Sequence, residues 1–152
     1  MTDSLQVFFD DFYSSAGGEV DECSILLRFL GEDLEPDTVT ALLGIPPTQS
    51  GRKGDLTPNR LRNESTGIWV LVCERTTDSA DQQIGLLLDV DLPQDISIWQ
   101  SLSQCCSATM KVSLFIARWT RGATLSQTTL QKLADRGLNL QVEIYAKRPP
   151  GK

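Results

Sequence analysis

Apolar and polar positions follow a rhythm in this chain that occurs twice. Residues 26–44 read as an apolar strand, a short polar turn, a helix opened by Pro36 and a glycine stop at Gly44. Residues 115–137 repeat the plan, with Ser126 as the helix cap and Gly137 as the stop. Set side by side, Leu34 matches Leu125, Val39 matches Leu130, Leu42 matches Leu133, and Arg28 before the first turn matches Arg118 before the second. A strand feeding a helix twice in so short a chain predicts two half-units that share one core.

The remaining pattern fills in the elements between these units. Residues 23–30 form an almost continuous apolar run, broken by Ser24 and Arg28, which predicts a central, well-buried strand. Pro36 suits a first helical position, where no N–H is needed, and Gly44 a left-handed stop, with Val39, Leu42 and Leu43 inward. Residues 67–74 predict a second strand, with Ile68, Val70 and Val72 on one side and Trp69, Leu71 and Cys73 on the other. Asp78 or Ser79 caps a helix running to about Asp89, and Pro93 opens a further turn or two in which Ile96, Trp99 and Leu102 keep a three-residue spacing.

Residues 106–119 predict a third strand, and residues 138–145 a fourth that alternates Leu138, Leu140, Val142 and Ile144 against Asn139, Gln141, Glu143 and Tyr145. Before the fourth strand comes a helix capped by Ser126, with Leu125 and Leu130 spaced as a hydrophobic staple. A face bearing Lys111, Ser113, Asn139, Gln141 and Glu143 is at least partly wet, so helices are expected on the other face only. The expected fold class is α+β: a two-layer sandwich whose four-stranded sheet is a ferredoxin-like variant built from two β-α-β-type halves.

Three stretches lie outside this plan. Residues 1–22 form an acidic, aromatic arm in which Leu5, Phe8, Phe9, Phe12 and Tyr13 recur at helical spacing, and residues 147–152 form a basic tail. Residues 23–146 are expected to make a single domain. Within it, residues 45–66 hold prolines, glycines and scattered polar residues with no periodicity, so no regular element is expected there. Loops of that length in a compact domain are usually functional or disordered.

Charge sharpens the picture. The net charge is −6, yet residues 1–22 carry six acids and no Lys or Arg, which leaves the other 130 residues with 14 acids against 14 bases. A neutral body with an acidic arm is a poor match to a phosphate backbone, so general nucleic-acid binding is not expected. No apolar run approaches the ~20 residues of a membrane span, and the N-terminus lacks the basic-then-apolar plan of a secretory signal. A cytoplasmic protein is the resulting expectation.

The chemistry on offer is narrow. There is no histidine, so Ser-His, Cys-His and imidazole–metal machinery is excluded. Cys23, Cys73, Cys105 and Cys106 make no C-x-x-C pair; Cys23 and Cys73 read as core, and the vicinal Cys105–Cys106 as strand-end thiols or a redox pair. No phosphate-cradling glycine motif follows a strand, so no cofactor is expected. The cluster Glu32, Asp33, Glu35 would hold a hard cation or an acid–base pair, but it reads more simply as acids at the positive end of the helix at Pro36. Arg52, Lys53, Arg60 and Arg62 give residues 45–66 the densest positive patch of the chain, suited to an anion or an acidic partner, or to the chain's own acids. Trp69, Phe115, Trp119 and Tyr145 would form an aromatic platform if they shared the uncovered sheet face, or else belong to the core.

Leu34, Pro36, Val39, Thr40, Leu43, Gly44, Ile45, Pro47 and Thr48, then Lys53-Gly54-Asp55, then Gly67 and Trp69, and the closing strand to Tyr145 together resemble a bacterial family catalogued as domain of unknown function 4279. The resemblance runs from about Cys23 to Tyr145. It implies a stand-alone bacterial domain and brings no activity, metal or cofactor. Some small bacterial families of this kind resemble immunity proteins that neutralise toxins.

The sequence therefore reads as a non-enzymatic module that binds a protein partner or a small anionic ligand, with Thr48, Arg52, Lys53, Asp55, Arg60, Arg62 and Trp69 as contact region. One alternative is an immunity-type inhibitor that covers a basic toxin with acidic surface. The other is an enzyme that relies on carboxylate, Lys or Cys chemistry.

Overall fold

The computed structural model describes residues 20–55, 66–117 and 121–146. Arg60, Arg62, Arg118, Trp119, residues 1–19 of the aromatic arm and the basic tail lie outside them. Five strands form one mixed sheet: β1 (Glu22–Gly31), β2 (Gln49–Gly51), β3 (Gly67–Val72), β4 (Ser107–Ile116) and β5 (Leu138–Ala146). Four α-helices accompany them: α1 (Pro36–Leu43), α2 (Ala80–Leu86), α3 (Ile96–Cys105) and α4 (Gln127–Asp135). The final turn of α2 widens into a π-helical segment, Leu87–Asp91, which turns both Leu87 and Leu88 inward.

The strand order is β2-β3-β1-β4-β5, with β1 antiparallel to β3 and β4, β3 antiparallel to β2, and β4 parallel to β5. The repeated strand-and-helix plan thus returns as two units, β1-α1-β2 and β4-α4-β5, each with end strands running the same way. In the second unit the two strands are neighbours; in the first, β3 is inserted between them. The four-stranded ferredoxin-like sheet expected from the sequence is therefore a five-stranded mixed sheet with unlike halves. The added strand is β2, which has no apolar residue to alternate. Backbone bonds to β3 hold it, along with Thr48, whose N–H reaches Val70 O (2.7 Å) and whose Oγ1 accepts from Val72 N (2.9 Å).

β1 sits at the centre and alternates strictly. Cys23, Ile25, Leu27 and Phe29 are sealed on one face, while Leu26, Arg28 and Leu30 are half-buried on the other. The sealed row joins Trp69, Ala108, Met110 and Val112 from neighbouring strands and Val39, Ile84, Leu88, Trp99, Leu102 and Leu133 from the helices in one core cluster. Helix packing therefore takes one face of the sheet, as the wet face opposite required. At the centre, Phe29 meets Trp69 edge-on at 5.7 Å and Trp99 at 6.4 Å. Each buried indole N–H has an acceptor, Thr40 Oγ1 at 3.0 Å for Trp69 and Pro93 O at 2.9 Å for Trp99.

The helix ends follow the sequence signals. Pro36 opens α1 and Gly44 closes it at φ 74°. Ser79 and Gln82 make a reciprocal capping box on α2, Asp95 caps α3, and Ser126 caps α4 before Gly137 at φ 67°. The repeat, however, is in register one residue away from the apolar letters. Val39 and Leu43 are buried in α1, and their counterparts in α4 are Thr129 and Leu133, while Leu130 is exposed. Thr129 can be buried because its hydroxyl is bonded to Ser126 Oγ (3.2 Å).

Gly67 marks the tightest crossing: a Cβ there would lie 2.8 Å from the carbonyl oxygens of Gly31 and Leu34. Gly67→Ala is expected to lower stability by about 1–3 kcal/mol, because backbone rather than a mobile side chain must give way. Gly85→Ala in α2, where a Cβ meets nothing within 4 Å, should instead stabilise by about 0.5–1 kcal/mol. Urea denaturation of the two variants against wild type measures both.

Candidate functional site

Two loops meet beside the start of α1. The first, leaving β1, carries Glu32, Asp33, the buried Leu34 and Glu35; the second, leaving β2, carries Arg52, Lys53, Gly54 and Asp55. The second loop closes on itself. Asp55 accepts from Arg52 N–H at 2.8 Å and donates its own N–H to Arg52 O at 3.0 Å, with Gly54 at φ 94° supplying the left-handed position. That turn aims both cations at the first loop. Arg52 Nε reaches Glu35 Oε2 at 2.6 Å, with Asp37 at 3.8 Å, and Lys53 Nζ pairs with Glu32.

These contacts shift the titrating groups in the directions their charges require. The hydrogen bond and charge of Lys53 hold the Glu32 carboxyl below the ordinary carboxylate range, and Glu32 raises the Lys53 ammonium in return. Glu35 raises Arg52 in the same way. All four side chains are about half exposed or more, so these are screened surface pairs that a stronger partner can displace. Glu35 occupies the N-cap position of α1 without capping it, its carboxylate turned to Arg52, while Asp37 lies in the first turn as the helix dipole favours.

Beside the paired charges runs a groove of about 450 Å³ between α1 and α3. Leu34, Val39, Leu42 and Leu102 line its floor, Glu32, Asp33 and Glu35 its rim, and Cys105 one end. It combines apolar surface with an acidic rim. Leu42 and Leu102 were legible only as core positions, and the groove arises because α1 and α3, far apart in sequence, lie side by side.

Of the seven residues singled out from the sequence, Arg52, Lys53 and Asp55 come together at this loop. Thr48 is spent on bracing β2 against β3. Trp69 is fully buried on the helix side of the sheet and contacts no surface, because its register partner is Phe29 at the centre of the core. Arg60 and Arg62 lie outside the described residues.

Of the expected aromatic platform, Trp69 belongs to the core and Trp119 lies outside the described residues. Phe115 and Tyr145 stack at 5.0 Å on the uncovered face, with the guanidinium of Arg75 4.4 Å over Phe115 and paired to Glu22 at 2.8 Å. Cys105 and Cys106 hold their sulfurs 4.0 Å apart. Burial, then the neighbouring Cys105, pushes the Cys106 thiol up to about 12, which keeps it protonated. Among the described residues no group of three or more acidic or cysteine side chains is placed to hold a metal ion, and no helix is long and apolar enough to cross a membrane.

A family model described as "Domain of unknown function (DUF4279)" matches residues 21–147. Among curated proteins and among solved structures nothing matches the chain.

Exposed pairs of this kind predict small effects with a definite pH signature. Lys53→Ala should lower thermal stability only slightly at neutral pH. Glu32 is depressed in the folded state, so its contribution is present above its unfolded pKa and fades as pH falls below about 4.3. Lys53 is raised, so its share fades only as pH climbs past about 10.4. Melting curves of wild type and Lys53→Ala should therefore converge at both ends of a pH series and differ most between them.

Proposed function

The chain belongs to the DUF4279 family, whose model spans residues 21–147, and from that premise we propose that it is a non-enzymatic binding module for a protein partner. The contact region is the groove between α1 and α3, and the partner presents apolar and cationic side chains to it. The observation that carries this reading is the pairing of an apolar floor with an acid-rich rim in one groove of about 450 Å³.

A small anion is the weaker occupant. Arg52 and Lys53, the two described cations of the loop, already face Glu35, Asp37 and Glu32, so an incoming phosphate or carboxylate meets more negative than positive charge. A basic partner instead finds carboxylates held by screened, displaceable pairs. An immunity-type inhibitor of a basic toxin is one form this recognition takes. Catalysis has less support. The shifted carboxylates at Glu32, Asp81, Asp95 and Glu143 all move downward, away from the range of a general acid or base at neutral pH.

Selection from a displayed random-peptide library tests the reading directly. Peptides recovered on the full chain should be rich in Lys or Arg beside Leu, Ile or Phe. The double variant Glu32→Lys and Glu35→Lys should weaken them by about tenfold or more, the scale of one well-formed charge pair. Recovery of acidic peptides, or binding indifferent to that double variant and to Leu42→Asp, would sink the proposal.

A further inference from the structure

The two edges of the sheet are built differently. At one, β2 is three residues long, preceded by Pro46 and Pro47 and followed by Arg52 and Lys53. Shortness, proline and cations are the usual devices that keep an edge strand from pairing. At the other, β5 is nine residues, about 30 Å, with no proline, lysine or arginine inside it. Lys147, Arg148, Pro149 and Pro150 follow directly in the sequence, so length and not flanking residues sets the two edges apart. Among the described residues no strand pairs with its outer edge. Its row Leu140, Val142 and Ile144, on the helix side of the sheet, is 38%, 50% and 64% exposed. Its one charge, Glu143, is engaged inside its own chain by Lys111 at 3.3 Å and by the hydroxyl of Tyr145.

We propose that a second copy of this chain occupies that edge, β5 pairing antiparallel with its twin about a twofold axis through Val142. An axis normal to the sheet keeps each face common to both copies, so residues opposite one another must share a face and the axis must pass through a residue. Val142 is the midpoint of β5, so only this choice pairs the strand along its whole length. It sets Val142 against its twin and Leu140 against Ile144 on one face, and Gln141 against Glu143 and Asn139 against Tyr145 on the other. Apolar meets apolar, and an amide donor meets a carboxylate. Moving the axis to residue 143 would set Glu143 against itself, a repulsive pair. The sequence around Val142 is thus a chemical palindrome, which is what an isologous interface requires. A single paired edge covers less than the ~800 Å² per partner of a standard interface, so the dimer is weak and reversible, in the micromolar range. None of the groove residues takes part, so this inference stands apart from the binding function.

Sedimentation velocity of the full chain over a micromolar concentration series reads the outcome. Wild type should shift from one chain's mass to two, while Val142→Lys, which opposes two ammonium groups, should stay at one chain with an unchanged melting temperature. For the register, Val142→Cys should form a covalent dimer on mild oxidation, because antiparallel partners lie ~4.5–5.5 Å apart at Cα, within disulfide reach. Ile144→Cys, about 13 Å from its own twin, should not exceed the background of wild type. A wild type with one chain's mass throughout, a dimer that survives Val142→Lys, or cross-linking at 144 rather than 142 overturns the proposal. So does a monomer that dimerises only once residues 1–19 are removed, which would make the arm the occupant of the edge.

Discussion

The arrangement rests on Phe29, held between two tryptophans on the central strand. β1 pairs with β3 on one side and β4 on the other, and its register sets Phe29 opposite both Trp69 and the small Ala108. Trp99 packs on Phe29 from α3, and the Trp69 indole reaches to Thr40 on α1. One aromatic contact thus ties α1, α3 and three strands together. Burial of such side chains dominates core energetics, and satisfied indole N–H groups remove its main penalty.

Docking α1 and α3 against that cluster also makes the groove. Two helices that share a core through Val39, Leu43, Trp99 and Leu102 leave a furrow where their outer flanks diverge, and Leu42 lines it. The loop entering α1 then supplies its rim, and the loop leaving β2 pairs with the rim carboxylates. Their opposite charges meet because β2 lies at the sheet edge close to the start of α1. Site and fold are therefore coupled: loss of the β2–β3 pairing would release Arg52 and Lys53 from Glu35 and Glu32.

The sheet divides labour between its faces and its edges. One face carries the helices, which leave the outer row Leu140, Val142 and Ile144 of β5 partly exposed. The other carries Arg28, bonded to Gln141 at 3.0 Å, the pair Lys111–Glu143 and the stacked Phe115–Tyr145. Of the two edges, the one beside the groove is a strand of only three residues, and the one formed by β5 is nine residues long with a self-complementary pattern. A chain whose first strand-helix-strand unit has β3 inserted within it, and whose second unit does not, arrives at edges of unequal character.

Local periodicity was enough to read β1, β3, β4 and β5, most of the inward helix positions, and the stops at Gly44 and Gly137. Those features depend on alternation, capping hydroxyls and left-handed glycines within about ten residues. The same reading placed Arg52, Lys53 and Asp55 on one accessible loop. It missed β2, because Gln49, Ser50 and Gly51 carry no hydrophobic alternation and are held by backbone bonds to a strand some twenty residues away. It mistook Leu130 for a buried position, since a bonded threonine takes that place in α4. Trp69 looked like a contact residue and is core, because strand parity alone does not say which face the helices will cover. Strand order, the insertion of β3 between β1 and β2, and the pairing of each loop cation with its carboxylate were settled only by tertiary structure. Each joins groups remote in sequence, and nothing local to either partner encodes which distant surface it will meet.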